Sequence, residues 1–319
     1  MSLIKVRDVN LKQVSLGFET KSSPDSVYRR IQRFFKDFKI SPKLVANFVI
    51  SNLPMDKYVL SMDRTNWKFG KVDINILTIG IVYKGNAFPI AWMLFPKRGN
   101  SNQEERISLI KKVLEIIPKD KIDYLLADRE FVGKNWFLWL KEEKISFVIR
   151  IRDNFVIHKR GKKRAIKTSF RCLKNKHSLS LKESLKICGV KLFATGARVD
   201  GEYCIVVSDK KLDNAIDIYL QRWGIEVFFG CAKSRGFNFE NTHMSELNKI
   251  SKLLSLIVIA FTWAHLVGEF ISKRNPIKTK KHGRKAISLF RLGLDFIQHS
   301  LLNFSLKYHD LYTSLKCLL

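Results

Sequence analysis

The sequence predicts an α/β fold in which helices cover the faces of a mixed β-sheet. From residue 57 onward, short β-branched and apolar segments alternate with segments of helical periodicity, which is typical of this fold class. Of the 319 residues, 46% are hydrophobic, enough to bury one large core or two medium ones. The five cysteines are odd in number and contain no C-x-x-C pair, which argues against a disulfide framework or a zinc knuckle.

Residues 1–55 are predicted to be helical and basic. Ser23-Pro24-Asp25 is a helix-start signal, because serine caps, proline is tolerated in the first turn and a carboxylate is favoured there. The apolar side of the following helix is predicted to hold Val27, Ile31, Phe34 and Phe35. Its other side keeps Arg29, Arg30 and Arg33, which could lie against DNA or form a solvated basic face.

Residues 56–152 are predicted to form the first part of a catalytic core. Three extended segments come first, then a helix from Ser101 to Ile117 that Pro118 stops. A strand (IDYLLADREF), a helix from Lys134 to Lys144 and a further strand (ISFVIRIRD) follow. This order of three strands, helix, strand, helix and strand is that of an RNase H-like core.

The second half of the chain is predicted to contain three regions. Residues 153–212 read as a β-rich insertion, residues 213–245 as the helical segment that completes the core, and residues 246–319 as a C-terminal helical region. The apolar stretch from Leu253 to Val267 is shorter than the roughly 20 residues that span a bilayer, so we expect a buried core helix and no membrane partner. The charged N-terminus does not read as a signal peptide, and we expect a cytoplasmic protein.

The charge of the chain indicates a polyanionic partner. Lys and Arg number 58 against 29 Asp and Glu, which gives a formal net charge of +29. In a folded chain, this balance favours nucleic acid, and a ribosome-like or membrane-surface protein is the alternative. The basic residues are spread along the chain, which favours a broad binding surface.

Two acidic residues interrupt apolar strands. Asp63 is expected to close the first strand and Asp128 the fourth, and these strands are neighbours in an RNase H-like sheet. A later carboxylate, Glu226, could join them. Phosphoryl transfer on DNA through two metal ions requires converging carboxylates of this kind. The alternative is that each Asp is a turn or cap residue.

Tyr219, Arg222, Glu226 and Lys233 are spaced three, four and seven residues apart. Such steps return to nearly the same face of a helix, so we predict that all four project from one face. A carboxylate there could hold a metal ion while the cations bind phosphate. The alternative for Arg222 and Glu226 is a surface ion pair between residues four apart.

These residues match a known family. YLQRWGIEVFFGCAK resembles the Tyr-x2-Arg-x3-Glu-x6-Lys mark of DDE-type bacterial insertion-sequence transposases, and MDRTNW and ADREF resemble that family's first two acidic motifs. The resemblance implies a cut-and-paste DNA transposase that cleaves and transfers strands at terminal inverted repeats. It implies a catalytic triad of Asp63, Asp128 and Glu226 that holds two Mg²⁺ ions, with Mn²⁺ as substitute. It also implies that Tyr219, Arg222 and Lys233 contact the transposon-end DNA.

Two residues beside Asp63 and several partners are also expected to take part in DNA binding. Arg64 and Asn66 flank Asp63 and could hold substrate phosphate or orient the carboxylate. The partners are double-stranded DNA, as terminal repeats and as target, and a second copy of the chain in a synaptic homodimer. The net charge and the basic stretches at 158–167 and 273–285 would let the protein grip a second duplex. We expect a nucleoid-associated location.

Two other functions stay open at this stage. One is a nuclease of the same fold that lacks strand transfer. The other is a truncated, inactive DNA-binding protein derived from a transposase, because about 57 residues precede the first strand, few for a complete end-recognition domain. The three carboxylates argue against the inactive form.

Overall fold

The computed structural model describes residues 1–159, 162–281 and 283–318. Residues 160, 161, 282 and 319 lie outside the described residues, so the predicted basic stretches at 158–167 and 273–285 are described only in part.

The described residues form eleven strands. They are β1 (Tyr58–Phe69), β2 (Val72–Tyr83), β3 (Asn86–Phe95), β4 (Ile122–Ala127), β5 (Phe147–Ile151), β6 (Val156–Lys159), β7 (Lys162–Ala165), β8 (Ser178–Ser180), β9 (Leu185–Ile187), β10 (Val190–Val199) and β11 (Glu202–Ser208).

Eleven α-helices accompany them within the same residues. They are α1 (Ser2–Val6), α2 (Leu11–Leu16), α3 (Pro24–Asp37), α4 (Pro42–Ser51), α5 (Gln103–Leu114), α6 (Lys134–Glu142), α7 (Ala215–Leu220), α8 (Trp223–Ala232), α9 (Leu247–Arg274), α10 (Leu289–Leu302) and α11 (Phe304–Lys316).

The main sheet is mixed and has the order β3-β2-β1-β4-β5-β11-β10-β8, with β9 paired to β10. β1 and β4 pair in parallel, as do β4 and β5, whereas β1, β2 and β3 form an antiparallel meander. Helices flank the sheet, so the predicted α/β, RNase H-like class is confirmed. Because β1 lies beside β4, the two strands that carry the predicted aspartates are neighbours.

The predicted β-rich insertion is continuous with this sheet. β11 pairs antiparallel with β5, and β10 continues the sheet outward from β11. Within the described residues, only the β6–β7 hairpin forms a separate two-stranded ladder. The region 153–212 is therefore β-rich, but much of it extends the core instead of standing apart as a subdomain.

The N-terminal helices pack against the core. Ser23 caps α3 by accepting a hydrogen bond from the backbone N–H of Ser26, as the sequence predicts. The apolar side of α3 is buried at Val27, Ile31 and Phe35. The basic side is exposed at Arg29, Arg30 and Arg33.

Helix α9 is the central core helix. It has 28 residues and is apolar enough to cross a membrane by length and composition, but 72% of its most apolar window is buried inside the protein. The Phe261 ring lies 5.1–5.2 Å from the rings of Phe88 (β3), Phe228 (α8) and Phe290 (α10). The expectation of a buried helix is confirmed, and this helix joins the sheet, the site helix and the C-terminal helices.

Two local predictions are wrong. β1 does not close at Asp63; it continues to Phe69, because the β1–β2 hairpin keeps its register through Phe69↔Val72. The predicted continuous helix from about Asp213 past Lys233 is two helices, α7 and α8, separated at Gln221 and Arg222. Lys233 stands at the C-terminal cap of α8 with non-helical backbone angles.

Candidate active site

Asp63 and Asp128 lie side by side at the end of the parallel β1–β4 ladder. The last paired residues are Met62 and Ala127, so the two aspartates are the next residues on neighbouring strands. β4 ends there, whereas β1 continues with β2 as its partner. Each aspartate accepts a hydrogen bond from the next backbone N–H, at 2.7 Å in both cases. The topology thus brings together two carboxylates that are far apart in the chain.

Glu226 reaches the same place from α8. This helix packs on β1 and β3. Gly224 makes the close approach possible, because a Cβ atom there would lie 2.7 Å from the backbone carbon of Asn86 and 2.9 Å from the backbone nitrogen of Ala87. The missing side chain at Gly224 therefore sets how near Glu226 comes to the sheet.

Arg222 connects the three carboxylates. Its guanidinium lies 2.5 Å from Glu226 Oε1 and 3.4 Å from Asp63 Oδ2. Its Nε donates to the Tyr219 hydroxyl at 3.1 Å, and that hydroxyl donates to Asp128 Oδ1 at 3.4 Å. The Arg222–Glu226 pair predicted as a surface alternative is therefore formed, but its arginine is buried: only 7% of the Arg222 side chain is exposed.

Burial sets the proton affinities in this network. Loss of solvent raises the pKa of Asp63 to about 6, against the opposing effects of the Arg64 N–H and Arg222. Burial likewise raises the pKa of Tyr219 to about 12, which keeps its phenol protonated and able to donate. Burial alone lowers the pKa of Arg222, but Tyr219, Glu226 and Asp63 together raise it above its usual value, so Arg222 stays charged.

The donor set suits a hard divalent cation. Three carboxylates supply only oxygen ligands, which Mg²⁺ and Mn²⁺ prefer. Among the described residues, no three His, Cys, Asp or Glu side chains converge closely enough to hold one ion. The Arg222 guanidinium, which contacts both Asp63 and Glu226, supplies the positive charge between them. The three carboxylates thus match such an ion in the type of ligand atom, and the Arg222 guanidinium lies between two of them.

Arg64 and Asn66 belong to a different contact. Arg64 forms a two-pronged pair with Glu130, at 3.1 and 3.0 Å, and its guanidinium also donates to Asn66 Oδ1 at 3.4 Å and Asn100 Oδ1 at 3.1 Å. The pair ties β1 to the loop that follows Asp128. It supports an orienting role for Arg64 more directly than a phosphate contact.

Arg106 is a residue that the sequence analysis missed. Its buried guanidinium donates to the Ser101 carbonyl at 2.6 Å and to the Glu130 carbonyl at 3.0 Å, and it lies over the Phe131 ring. It therefore fixes the loop that carries Asp128. The only sign of this role in the sequence was the position of an arginine on the apolar side of helix α5, among Leu109, Ile110 and Val113.

Lys233 does not join the network around Arg222. Its ammonium pairs with Glu240 at 2.6 Å and lies 5.8 Å from the centre of the Trp67 ring. The four residues of the predicted helix face therefore divide into a bonded cluster of three and a separate lysine. Tyr219 and Arg222 are buried and bonded within the protein, so their contact with DNA stays a prediction.

The three arginines of α3 lie outside this network. Arg29 and Arg33 line an open groove, whereas Arg30 lines a separate, mainly apolar cavity. Their predicted contact with DNA therefore concerns a different surface from the one that carries the carboxylates.

Comparison with known proteins identifies a family. A family model described as a transposase DDE domain matches residues 54–263. No curated protein matches the chain. Among solved structures, the chain is similar to the large terminase of a thermophilic bacteriophage (crystal form 3), with 17% identity over 31% of this chain and a TM-score of 0.22. The complex of that terminase with ADP gives 18% identity over 31% of this chain and a TM-score of 0.22. The chain covers 24% and 23% of those two proteins, respectively.

Proposed function

The chain belongs to the transposase family defined by the DDE domain, and from that premise we propose that it moves an insertion sequence by a cut-and-paste mechanism. It would cleave DNA strands at terminal inverted repeats and join them to target DNA. One observation carries this proposal: Asp63 and Asp128 directly follow the last residue pair of the parallel β1–β4 ladder, and Glu226 is joined to both through Arg222 and Tyr219.

Asp63, Asp128 and Glu226 are the proposed catalytic residues and would hold two Mg²⁺ ions, or Mn²⁺ in their place. When bound, such ions activate the attacking oxygen and stabilise the leaving oxygen of an in-line displacement. The oxygen-only donor set supports this assignment. Family members generally use divalent metal ions, and the specific ion and number are our proposal.

The remaining residues of the network position these carboxylates. The charged Arg222 contacts both Asp63 and Glu226 and so offsets part of the repulsion between these two carboxylates. The Tyr219 hydroxyl donates a hydrogen bond to Asp128 and so orients that carboxylate toward Arg222. Arg64 and Arg106 fix the loop after Asp128 from two sides. Lys233, beside Trp67, is the proposed contact to a DNA phosphate.

The partners follow from charge and chemistry. The net charge of +29 supports binding to double-stranded DNA, as transposon ends and as target. We propose a homodimer on paired ends, within a cytoplasmic, nucleoid-associated location and with no membrane partner. Residues 1–55 are the proposed end-binding region, 56–152 and 213–245 the catalytic core, 153–212 the insertion and 246–319 the C-terminal region. A fully active complex with one chain on one DNA end, found by sizing, would rule out the homodimer.

A plasmid assay tests the proposed function. Supercoiled plasmid that carries a marker between two terminal repeats, taken from the DNA on either side of the coding sequence, is incubated with the protein in Mg²⁺. A transposase excises the marker and joins it to new DNA. Cleavage without joining would indicate a nuclease, and binding without cleavage would indicate an inactive derivative.

A further inference from the structure

Ser61 begins a buried row of side chains that runs across the sheet. Residues two apart on a strand share a face, so Ser61 lies on the same face of β1 as Asp63. Its register partner on β4 is Leu126, and the next residue across is Val148 of β5. Leu126 and Val148 are apolar, fully buried and packed against α7. Ser61 therefore places a hydroxyl in a buried position, two residues before a proposed catalytic aspartate.

The Ser61 hydroxyl reaches the helix that carries Glu226. It donates a hydrogen bond to the backbone carbonyl of Arg222 at 3.2 Å, although the two residues are 161 positions apart in the chain. Arg222 is the N-cap residue of α8, and the carbonyl of such a residue accepts the first hydrogen bond of its helix. The Ser61 contact therefore attaches the start of α8 directly to β1.

The backbone at this junction is one that an outside contact can fix. Between α7 and α8 the hydrogen bonds join residues three apart, from the Arg222 N–H to the Tyr219 carbonyl at 2.9 Å and from the Ile225 N–H to the Arg222 carbonyl at 3.1 Å. Bonds of this kind have poorer geometry than those of an α-helix. The orientation of the Arg222 peptide therefore depends in part on the bond from Ser61, and Glu226 follows about one helical turn later.

A second serine in the same row makes a different kind of contact. Ser208 of β11 pairs with Val148 and is also buried. Its hydroxyl donates to the carbonyl of Lys210 at 2.7 Å, two residues further along its own chain segment. β11 lies three strand spacings from β1, or roughly 14 Å. Burial requires each hydroxyl to find an acceptor, but the Ser208 bond is local, whereas the Ser61 bond joins the sheet to Arg222.

We propose that Ser61 is a positioning residue for DNA strand cleavage. Its hydroxyl holds the Arg222 peptide against β1, so that the guanidinium lies 3.4 Å from Asp63 and 2.5 Å from Glu226. The inference rests on the proposed function and adds to it a residue that acts through Arg222. Because Ser61 is fully buried, its effect does not require any contact with DNA.

The first test compares Ser61→Ala with the matched control Ser208→Ala. Each variant loses one buried hydrogen bond, so both should unfold at similarly lowered urea concentrations. In Mg²⁺, single-turnover cleavage of a terminal-repeat duplex should slow by about 10–100-fold in Ser61→Ala, because Arg222 and Glu226 shift relative to Asp63. Ser208→Ala should cleave at the wild-type rate. Affinity for the duplex, measured in EDTA, should be unchanged in both variants.

The second test follows Arg222 itself by NMR, without DNA or metal. The Nε–H of Arg222 donates to the Tyr219 hydroxyl, and the Arg222 side chain is buried, so this proton should exchange slowly with water. Its signal in protein with isotope-labelled arginine is assigned by its absence in Arg222→Lys. We expect exchange to be at least about 10-fold faster in Ser61→Ala and unchanged in Ser208→Ala.

The outcomes separate this inference from the proposed function. Slower cleavage and faster Arg222 exchange in Ser61→Ala alone support the role of Ser61. Equal changes in the two serine variants would overturn it, and so would wild-type cleavage or wild-type exchange in Ser61→Ala. If the wild-type protein does not cleave the duplex, the proposed function fails, whereas faster exchange in Ser61→Ala alone would still show that Ser61 holds Arg222.

Discussion

At the scale of single residues, Arg222 is the centre of the site. It is buried, it stays charged, and it contacts Asp63 and Glu226 at once. The buried, desolvated position of Asp63 means that its ionised form costs the folded state free energy, even with Arg222 beside it. Functional sites often keep a charged group that lowers the stability of the folded protein, because the group is needed to bind a ligand.

The first prediction concerns that cost. The pKa of Asp63 is raised from 3.8 to about 6, so the folded protein binds this proton more tightly than the unfolded chain does. The protonated carboxyl group therefore contributes its full share of the free energy of unfolding below about pH 4, and this share is lost as the pH rises through 6. Without divalent ions, Asp63→Asn should therefore be more stable than wild type at about pH 7.5, by about 1–3 kcal/mol. Urea unfolding in EDTA measures the free energy of unfolding, and the gap should shrink toward about pH 4.

The matched control is Asp123→Asn, which changes a half-exposed aspartate on the neighbouring strand β4. It should change stability by less than about 0.5 kcal/mol at either pH. A gap for Asp63→Asn that does not vary with pH would refute the role of burial. An Asp63→Asn variant that is less stable than wild type at the higher pH would do the same.

At the scale of elements, the close approach of α8 to the sheet positions Glu226. Gly224 faces backbone atoms of Asn86 and Ala87 that cannot turn aside. Gly230, further along the same helix, faces only the far end of the Arg235 side chain. The two glycines thus differ in what an added methyl group would displace.

The second prediction uses this pair. Gly224→Ala should push α8 away from β3, cost about 1–3 kcal/mol of stability and reduce strand cleavage sharply, because Glu226 moves with the helix. Gly230→Ala should stay within about 1 kcal/mol of wild type, since Arg235 can move. Urea unfolding and cleavage of an end duplex measure both effects. Equal cleavage by the two variants would show that the position of α8 does not control the site.

The same elements show what the sequence could predict. Alternating strands and helices specify the β1–β5 core, and the parallel neighbours β1 and β4 bring Asp63 and Asp128 together as expected. The break between α7 and α8 was not predictable from propensity, because Gln221 and Arg222 keep right-handed helical backbone angles and the break consists only of a change to hydrogen bonds between residues three apart. The continuation of β1 past Asp63 was missed because pairing with β2 outweighs one polar residue.

Long-range contacts account for the remaining misses. Arg106 and the Arg64–Glu130 pair join segments that only the tertiary fold brings together. The predicted basic face of α3 treated Arg29, Arg30 and Arg33 alike. The separation of Arg30 from the other two depends on which element packs on each side of the helix.

At the scale of the whole molecule, helix α9 links the sheet that carries Asp63 and Asp128 to the N-terminal helices. α9 ties them together, since Lys252 donates to the backbone carbonyls of Phe35 and Lys36 at the end of α3. Ser251 of the same helix accepts a hydrogen bond at 2.9 Å from the Trp92 indole of β3. The sheet and the N-terminal helices therefore both pack onto one long helix.

The central claim is that Asp63, Asp128 and Glu226 together carry out DNA strand cleavage. The most direct measurement is the rate of nicking of a terminal-repeat duplex in Mg²⁺ by wild type and by Asp63→Asn, Asp128→Asn, Glu226→Gln and the control Asp123→Asn. We predict that each of the three site variants falls by at least about 100-fold while still binding the duplex, and that the control cleaves like wild type. Nicking at the wild-type rate by any one of the three would contradict the account.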